Sequence, residues 1–166
     1  MRPVQAWARK HRIQFFLPYF RPSDRVLEIG PGEGWFQKAI REALPVDYVT
    51  IDTHAPADIQ GNIRDWRKHA LELGSFDVIV AIEVVEHTDC FEECRELLKP
   101  GGLMLVTTPM PQFDRILKLL EIVRLTQKRT SPHNNLTYLK RVPGFTIKKA
   151  RYPFRLGQWV VLRKTV

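Results

Sequence analysis

The sequence predicts an α/β fold in which a doubly wound sheet ends in an antiparallel hairpin. Short apolar segments alternate along the chain with segments whose apolar residues recur at helical spacing. The clearest apolar segment, Phe76 to Ile82, is typical of a strand buried on both faces, as parallel strands are. The chain has 166 residues, which is the length of one domain, and we predict a single domain over residues 1–166.

The first half of the chain predicts two helices and three strands. Apolar residues at helical spacing from Pro3 to Leu17 indicate a helix within residues 1–22. A second, amphipathic helix runs from Phe36 to Leu44 and stops at Pro45. The predicted strands of this half are Val26–Ile29, Tyr48–Ile51, which closes on Asp52, and a short strand around Asp58–Ile59.

The connection between the second and third strands is unusually short. Only the segment Thr53 to Ala57 separates Asp52 from Asp58. Parallel neighbours usually need a crossover helix between them, and this connection has no room for one. If the two strands are parallel neighbours, we expect that face of the sheet to be bare or covered by another element.

The second half predicts four more strands. Residues Ile63 to Leu73 show a mixed loop and helix pattern. A helix from Asp89 to Leu98 is predicted to be capped by Thr88 or Asp89 and stopped by Pro100, Gly101 and Gly102. Further helices are predicted over residues 113–125 and Leu136–Val142. The predicted strands are Phe76–Ile82, Leu103–Thr108, Phe145–Ala150 and Gln158–Leu162, the last two forming the hairpin.

A glycine-rich loop directly follows the first strand. The segment from Glu28 to Gly34 places glycines at alternate positions, where the backbone turns tightly and approaches a ligand closely. A dinucleotide fingerprint would need a small residue at position 35, and Trp35 stands there instead. The loop therefore favours a nucleotide cofactor that is not held by a pyrophosphate; a turn without a ligand is the alternative.

The pattern E-x-G-x-G-x-G resembles the signature loop of class I S-adenosylmethionine-dependent methyltransferases. The resemblance implies a mostly parallel seven-strand sheet of order 3-2-1-4-5-7-6, with S-adenosylmethionine as cofactor and S-adenosylhomocysteine as product. It also implies that one group of residues holds the amino-acid end of the cofactor. This group is Glu28, Gly30, Pro31, Gly32 and Gly34.

Asp52 ends the second strand, at the edge where ligands of such sheets bind. In the family that this sequence resembles, the acid at the position of Asp52 binds the ribose hydroxyls. Thr53 follows Asp52 and is a further candidate cofactor-binding residue. Asn62 and Ile63 match the positions whose side chain and backbone N–H meet the adenine ring. The family more often has Asp at the first of these positions, but an amide oxygen accepts the same bond. An ordinary turn residue is the alternative for Asn62.

The segment Glu83-Val84-Val85-Glu86-His87 follows the fourth strand. It resembles the E-V-L-E-H segment of small-molecule O- and C-methyltransferases of type 11, including those of quinone biosynthesis. Methyl transfer to an oxygen or nitrogen nucleophile needs alignment and removal of a proton. His87 is the candidate base because histidine titrates near neutrality, and Glu83 is the second candidate catalytic residue and lines the cofactor pocket. A histidine that only fixes the loop is the alternative, and a metal held by Glu83, Glu86 and His87 is a minority interpretation; we predict none.

The resemblance covers residues 25–110 well, through Leu97–Leu103 and Thr107–Pro109. In this fold residues 111–143 usually form part of a lid over the acceptor, and residues 144–164 fit the final hairpin. Cys90 and Cys94 are too few for a zinc site and do not form a CxxC pair, so we expect reduced cysteines in the core.

The net charge of +8 is unevenly distributed. Residues 1–111 contain 13 basic and 16 acidic residues (net −3), whereas residues 112–166 contain 13 and 2 (net +11). Clustered positive charge attracts nucleic acid, acidic lipid or anionic substrates, although a solvated basic face is equally compatible with it. No apolar run approaches the roughly 20 residues of a membrane span, and the N-terminus does not resemble a secretory signal, so we expect a cytoplasmic protein.

These observations favour a methyltransferase acting on an oxygen or nitrogen of a small molecule or of a metabolite that carries an anionic or sugar group. An RNA methyltransferase that grips phosphates with its basic C-terminal third is the first alternative. The sequence lacks the Asn/Asp-Pro-Pro-Tyr/Phe signature of enzymes that methylate base amines, but ribose methylation stays open. A noncatalytic cofactor-binding domain is the second. The sequence indicates neither the acceptor nor the oligomeric state.

Overall fold

The computed structural model describes residues 3–111 and 138–165, and within them it contains one seven-stranded sheet flanked by helices. The helices are α1 (Pro3–Phe16), α2 (Trp35–Ala43) and α3 (Phe91–Leu97), and short 3₁₀ helices span Leu17–Tyr19, Ile63–His69 and Pro153–Arg155. The strands are β1 (Arg25–Ile29), β2 (Asp47–Asp52), β3 (Ile59–Gln60), β4 (Phe76–Ile82), β5 (Leu98–Pro109), β6 (Phe145–Arg151) and β7 (Gly157–Lys164).

The strand order is β3-β2-β1-β4-β5-β7-β6, as the resemblance implied. Strands β1 to β5 pair in parallel, while β7 pairs antiparallel with β5 and with β6. Connections leave β1 in one direction towards β2 and reach β4 on its other side, so the strand order reverses there. Ligands of such sheets bind where the carboxyl ends of the strands meet at this reversal. The fold class is therefore confirmed.

Two apolar cores cover the two faces of the sheet. Phe16 of α1 and Phe36 and Ile40 of α2 are fully buried against one face, together with Val80 and Val161. Burying side chains of this size stabilises the fold by about 1.5 to 3 kcal/mol each. The other face packs against α3 and the 3₁₀ helix Ile63–His69, with Trp66, Ile79, Cys90, Cys94 and Leu97 in its core. Both cysteines are buried free thiols.

The short connection after β2 joins two strands that are parallel neighbours, since Ile51 of β2 lies opposite Ile59 of β3. It contains no helix. Instead, the chain returns directly to β2, where the side chain of Asp58 bonds Thr50. The carboxylate Oδ2 of Asp58 accepts the backbone N–H of Thr50 (2.9 Å) and its hydroxyl (2.8 Å). The element that packs near this edge is the 3₁₀ helix Ile63–His69, whose Ile63 and Trp66 join the core.

The largest differences from the predicted elements concern α3, β5 and residues 138–142. Helix α3 begins at Phe91 rather than Asp89, and its N-cap position is Cys90, without a side-chain cap. Strand β5 begins at Leu98, because Leu98 pairs with Phe76 before the register shifts at Val78. Residues 138–142 contain a turn at 139–140 and no helix. The remaining residues of the predicted helix, like the predicted helix 113–125, lie outside the described residues. No helix in the described ranges is both long and apolar enough to cross a membrane.

Candidate active site

A cleft of about 840 Å³ opens at the carboxyl ends of β1, β2 and β4. It joins most of the predicted site residues, from segments that are far apart in the chain. The predicted residues in its lining are Gly30, Gly32, Asp52, Thr53, Asn62, Ile63, Glu83 and His87. The lining residues that we did not predict are Ile29, Ile51, His54, Ala55, Gly61, Val84 and Thr88. Glu28, Pro31 and Gly34 do not line it.

The glycine loop turns into α2 through left-handed backbone at all three glycines. The φ angles are +68° at Gly30, +56° at Gly32 and +68° at Gly34, the residue that precedes α2. Side chains other than hydrogen are strained at such angles. A Cβ on Gly30 would lie 2.8 Å from Cγ2 of Val84, whereas a Cβ on Gly32 would meet nothing within 4 Å. Gly30 therefore allows the loop to contact the segment after β4, and Gly32 leaves open space.

Glu28 lies beneath the glycine loop rather than in the cleft. Its side chain is buried, and Oε2 accepts a hydrogen bond of 3.1 Å from the Tyr48 hydroxyl. Burial raises the pKa of Glu28 to about 7, while the bonds from Tyr48 and from the backbone N–H of Gln37 partly offset this rise. The bond to Gln37 ties β1 to α2. A direct contact between Glu28 and a cofactor stays a prediction that this geometry does not support.

Asp52 shapes the turn that follows β2. Its Oδ1 accepts the backbone N–H groups of His54 (2.7 Å) and Ala55 (3.0 Å). Among the contacts of the described residues, Oδ2 accepts no hydrogen bond, so one carboxylate oxygen is available at the edge of the cleft. A carboxylate with one fixed and one available oxygen suits the recognition of neighbouring hydroxyl groups.

Asn62 forms the N-cap of the 3₁₀ helix Ile63–His69. Its Oδ1 accepts the backbone N–H of Arg64 at 3.0 Å. An amide oxygen has two lone pairs, so one remains for a ligand in the cleft. The N–H of Ile63 is in the first position of that helix, where no partner exists within the helix. Asn62 is therefore a capping residue. The predicted contacts with adenine stay a prediction, for which the second lone pair of Oδ1 and the Ile63 N–H are available.

Glu83 ends β4 with an unusual backbone, since its φ angle is +56°. Thr107 holds this residue twice, because its carbonyl accepts the Glu83 N–H (2.9 Å) and its hydroxyl donates to Oε1 (2.8 Å). The guanidinium of Arg12 also donates to Oε1, at 2.6 Å. Non-glycine residues in left-handed conformations are costly and tend to occur at functional sites. Both bonds use Oε1, which leaves Oε2 for the cleft.

His87 and Glu86 occupy different environments after β4. His87 lines the cleft, in a turn where its N–H donates to the Val84 carbonyl at 2.9 Å. Glu86 is fully buried, and its carboxylate oxygens make no hydrogen bond of ordinary geometry; weaker interactions with its own backbone N–H and with the Thr108 hydroxyl lower its pKa slightly. Burial, followed by the negative charge of Glu83, raises the pKa of Glu86 to about 8. In the described residues no group of three His, Cys, Asp or Glu side chains is placed to hold a metal ion.

Helix α1 contributes two arginines that sequence reasoning missed. Arg9 pairs with Glu33 of the glycine loop at 2.6 Å, and Arg12 pairs with Glu83. The two arginines are three residues apart, so they lie on one face of the helix. That face of α1 is thereby fastened to the segments after β1 and β4. Only the spacing of Arg9 and Arg12 in the sequence could have suggested this arrangement.

Residues 5–149 match the family model described as a methyltransferase domain. The chain belongs to this family. It is 37% identical over 118 residues to a ubiquinone biosynthesis O-methyltransferase of a Chelativorans species, which covers 58% of this chain and 43% of that protein. It is 33% identical over 120 residues to the compactin diketide synthase of Penicillium citrinum, over 56% of this chain and 5% of that protein. This methyltransferase domain thus spans less than half the length of both relatives.

The methyltransferase fold is also found in solved structures. A phosphoethanolamine N-methyltransferase from Haemonchus contortus, in complex with S-adenosyl-L-methionine, has a TM-score of 0.61 to this methyltransferase and 16% identity. The similarity covers 88% of this chain and 39% of that chain. The match to the family model and the strand order of the sheet together place the chain in the class I S-adenosylmethionine-dependent methyltransferase family.

The lining of the cleft fits that cofactor. S-adenosylmethionine contains no phosphate and has a net positive charge, from a sulfonium and an ammonium group against one carboxylate. The described lining contains no lysine or arginine, and it has the carboxylates of Asp52 and Glu83. A phosphate-bearing cofactor would instead favour cationic side chains or the positive end of a helix. The open space at Gly32 and the absence of a Cβ at Gly30 also allow close backbone approach.

Proposed function

We propose that this methyltransferase transfers a methyl group from S-adenosylmethionine to an oxygen or nitrogen of a small-molecule acceptor. The observation that supports this proposal best is the cleft that unites Gly30, Asp52, Asn62, Glu83 and His87 at the carboxyl ends of the central strands. The relative from Chelativorans is named as an O-methyltransferase, which favours an oxygen nucleophile.

The cofactor supplies an electrophilic methyl group when it is bound. The protein's contribution is then to bind and to orient. Asp52 would hold the ribose hydroxyls with Oδ2, and Thr53 lies beside it in the lining. Asn62 and the Ile63 N–H would bind the edge of the adenine ring. Glu83 would place its available oxygen against the positively charged end of the cofactor, which its fixed bonds to Arg12 and Thr107 make possible.

The acceptor must lose a proton if its nucleophile is a hydroxyl or an ammonium group. His87 lines the cleft directly after β4, and its ring would accept this proton. Glu86 is a poor base in this role, because its carboxyl is fully buried. Alignment supplies the remainder of the rate, since an in-line displacement depends on the orientation of the two reactants.

Titration calorimetry with S-adenosylmethionine, S-adenosylhomocysteine and NAD tests the cofactor site. We expect heat from the first two and none from NAD. Asp52→Asn keeps the acceptor oxygen that holds the turn but removes the charge, and we expect it to weaken cofactor binding about tenfold. Asp47→Asn, which changes an exposed carboxylate at the start of β2, is the matched control. Equal affinities in the two variants would argue against the proposed cofactor site.

RNA is the second acceptor that the charges favour. The exposed stretch of edge strand β6 contains Lys148, Lys149 and Arg151. Filter binding of a mixed RNA pool over a salt series tests this alternative, because phosphate contacts predict a steep loss of affinity with salt. Binding that does not change with salt, or no binding at low salt, would remove RNA as an acceptor.

A further inference from the structure

A cavity of about 220 Å³ lies at the amino ends of β4 and β5, at the opposite ends of the strands from the cofactor cleft. We call it the amino-end pocket. Its lining comes from the 3₁₀ helix Leu17–Tyr19, the turn before β1, the start of β5, and strands β6 and β7. The chain runs along β4 from Asp77, in this pocket, to Glu83, in the cleft, so at about 3.3 Å per residue the two sites are roughly 20 Å apart. A small ligand in the amino-end pocket would therefore not touch the cofactor.

The lining of the amino-end pocket has a net positive charge. It contains four basic and two acidic side chains, which gives a formal charge of +2: Arg21, Lys99, Lys148 and Arg163 against Asp24 and Asp77. Asp77 is already paired, because the Lys99 ammonium donates to both of its carboxylate oxygens at 2.7 Å. Asp24 holds its own turn, since its Oδ2 accepts the backbone N–H of Arg21 at 2.7 Å. In the part of the chain that the structure describes, the side chains of the other three basic residues form no ion pair.

Uncharged groups orient two of these three cations. The Nε of Arg163 donates to the Gly101 carbonyl at 3.3 Å. Gly101 has a φ angle of +74°, which favours glycine, and a Cβ there would lie 3.8 Å from that same Nε. The Lys148 ammonium lies 5.7 Å from the centre of the Tyr19 ring, within the range of a cation–π contact. A carbonyl and an aromatic ring fix the positions of these cations without neutralising them, and an anion would relieve the repulsion between them.

The size and the charge of the amino-end pocket indicate which anion it would hold. A cavity of about 150 Å³ holds a benzene molecule, so a pocket of about 220 Å³ admits a phosphate group with a few attached atoms. A phosphate monoester has a charge of roughly −1.5 to −2 at pH 7, which matches the lining better than the single charge of a carboxylate or of a phosphodiester. Guanidinium groups bind phosphate oxygens through two parallel hydrogen bonds, and an ammonium group adds a point charge.

We propose that the amino-end pocket binds the phosphate group of a small phosphate monoester, with Arg163 and Lys148 as its principal contacts and Arg21 as the third cation. The pocket shares no lining residue with the cofactor cleft. The proposal is therefore independent of the proposed function, and the ligand would bind together with S-adenosylmethionine rather than compete with it.

Three small probes test the charge and the chemistry of the ligand: methyl phosphate, which is mainly a dianion at about pH 7.5, and the monoanions dimethyl phosphate and acetate. Binding is followed by amide chemical shifts of the labelled full chain at constant ionic strength, up to about 50 mM probe, since ligands of about six heavy atoms bind in the millimolar range. We expect methyl phosphate to bind about tenfold more tightly than either monoanion. The shifted amides should include Gly101 and Gly102, while those of Gly30 and Gly32 should not shift. A second titration in the presence of S-adenosylhomocysteine should give the same affinity.

Substitutions of exposed residues identify the contacts. Arg163→Gln should reduce the affinity for methyl phosphate about tenfold, and Lys148→Gln about threefold to tenfold. Lys149→Gln is the matched control, because it removes one charge from the same strand at an exposed residue that does not line the pocket, and it should change the affinity less than twofold. Asp24→Asn keeps an acceptor oxygen for the Arg21 N–H and removes a negative charge, so it should raise the affinity about twofold to threefold. Thermal unfolding shows that each variant is folded.

Four results would overturn the proposal. The first is the absence of saturable shifts with methyl phosphate, and the second is a set of shifts confined to the cofactor loop. The third is an equal loss of affinity in Lys148→Gln and Lys149→Gln, which would show only the general attraction of a basic surface. The fourth is equal affinity for methyl phosphate and dimethyl phosphate, which would indicate a phosphodiester, such as an RNA backbone, instead of a monoester.

Discussion

The guanidinium of Arg12 lies 2.6 Å from Oε1 of Glu83, so helix α1 is fastened to the end of β4 across 71 residues of sequence. The side chains are about one fifth and one third exposed, which makes this pair partly shielded from solvent. The pair fixes the one oxygen of Glu83 that also bonds Thr107. The position of a residue that lines the cofactor cleft therefore depends on the N-terminal helix.

Arg12→Gln should weaken S-adenosylmethionine binding about threefold to tenfold, because Glu83 loses the contact that orients it. Titration calorimetry measures this change, and thermal unfolding shows whether the fold is retained. Arg25→Gln is the control, since Arg25 pairs with Asp47 and Glu72 at the amino ends of the strands, away from the cleft. A loss of the same size in both variants would show that the Arg12 pair has no specific role.

Gly30→Ala should destabilise the ligand-free protein by about 2 to 4 kcal/mol, because strained backbone and a close contact with Val84 add together. Gly32→Ala has a similar φ angle but open space around its Cβ, so its cost should be about 1 to 2 kcal/mol. Chemical unfolding measures both. The double change Gly30→Ala with Val84→Ala should recover part of the difference. If Gly32→Ala is the more damaging of the two, the contact with Val84 is unimportant.

Glu86→Gln should stabilise the protein at pH 8 and change it little near pH 4.5. The pKa of Glu86 is about 8 in the fold against 4.5 for an ordinary glutamate, so the native state holds a proton that the unfolded state has released between these values. Stability therefore falls as pH rises through this window, and glutamine removes that loss. We expect a gain on the order of 2 kcal/mol at pH 8. Urea unfolding at the two pH values checks it, and a gain that is equal at both would contradict the assignment.

Asn62→Ala should lose about 1 kcal/mol of stability, because the 3₁₀ helix loses its cap. Asn62→Asp keeps the cap to the Arg64 N–H and should be stable. If Asn62 also contacts adenine, the alanine variant should lose S-adenosylhomocysteine affinity beyond that of a second variant, Arg64→Ala, which keeps the capping bond. Comparable affinities in Asn62→Ala and Arg64→Ala would assign Asn62 a capping role only.

Local pattern was sufficient to predict the strands of the sheet, whereas their order came from the resemblance to the methyltransferase family. The run Phe76–Ile82 is continuous and apolar because β4 is buried on both sides, and the two final strands follow a turn at Gly144. The limits of α3 were missed because Leu98 can continue a helix or begin a strand, and pairing with Phe76 decides for the strand. Pairing with a distant residue leaves no periodic signal in the sequence.

Residues of the candidate site could be predicted from the sequence where a single geometric requirement selects the residue type. The left-handed backbone at positions 30 and 32 favours glycine, and Asp52 was recognised because it ends β2. Burial of Glu28 was not foreseen, because an acid at the end of an apolar strand is equally compatible with a ligand and with a partner such as Tyr48. The role of Arg12 was not foreseen either, since its partner is distant in the sequence.

The helix-free connection from Asp52 to Ile59 has a consequence for engineering. It is a loop whose two ends are held by side-chain hydrogen bonds. Asp52 accepts the backbone N–H of His54 at one end, and Asp58 accepts the hydroxyl of Thr50 at the other. Lengthening such a loop costs little entropy, roughly 0.6 kcal/mol for each doubling of its length. New residues inserted between Ala55 and Ala57 would extend the wall of the cleft beside Asp52, for which we propose the ribose contact. An insertion in that loop is therefore the most direct way to add side chains that discriminate between cofactor analogues.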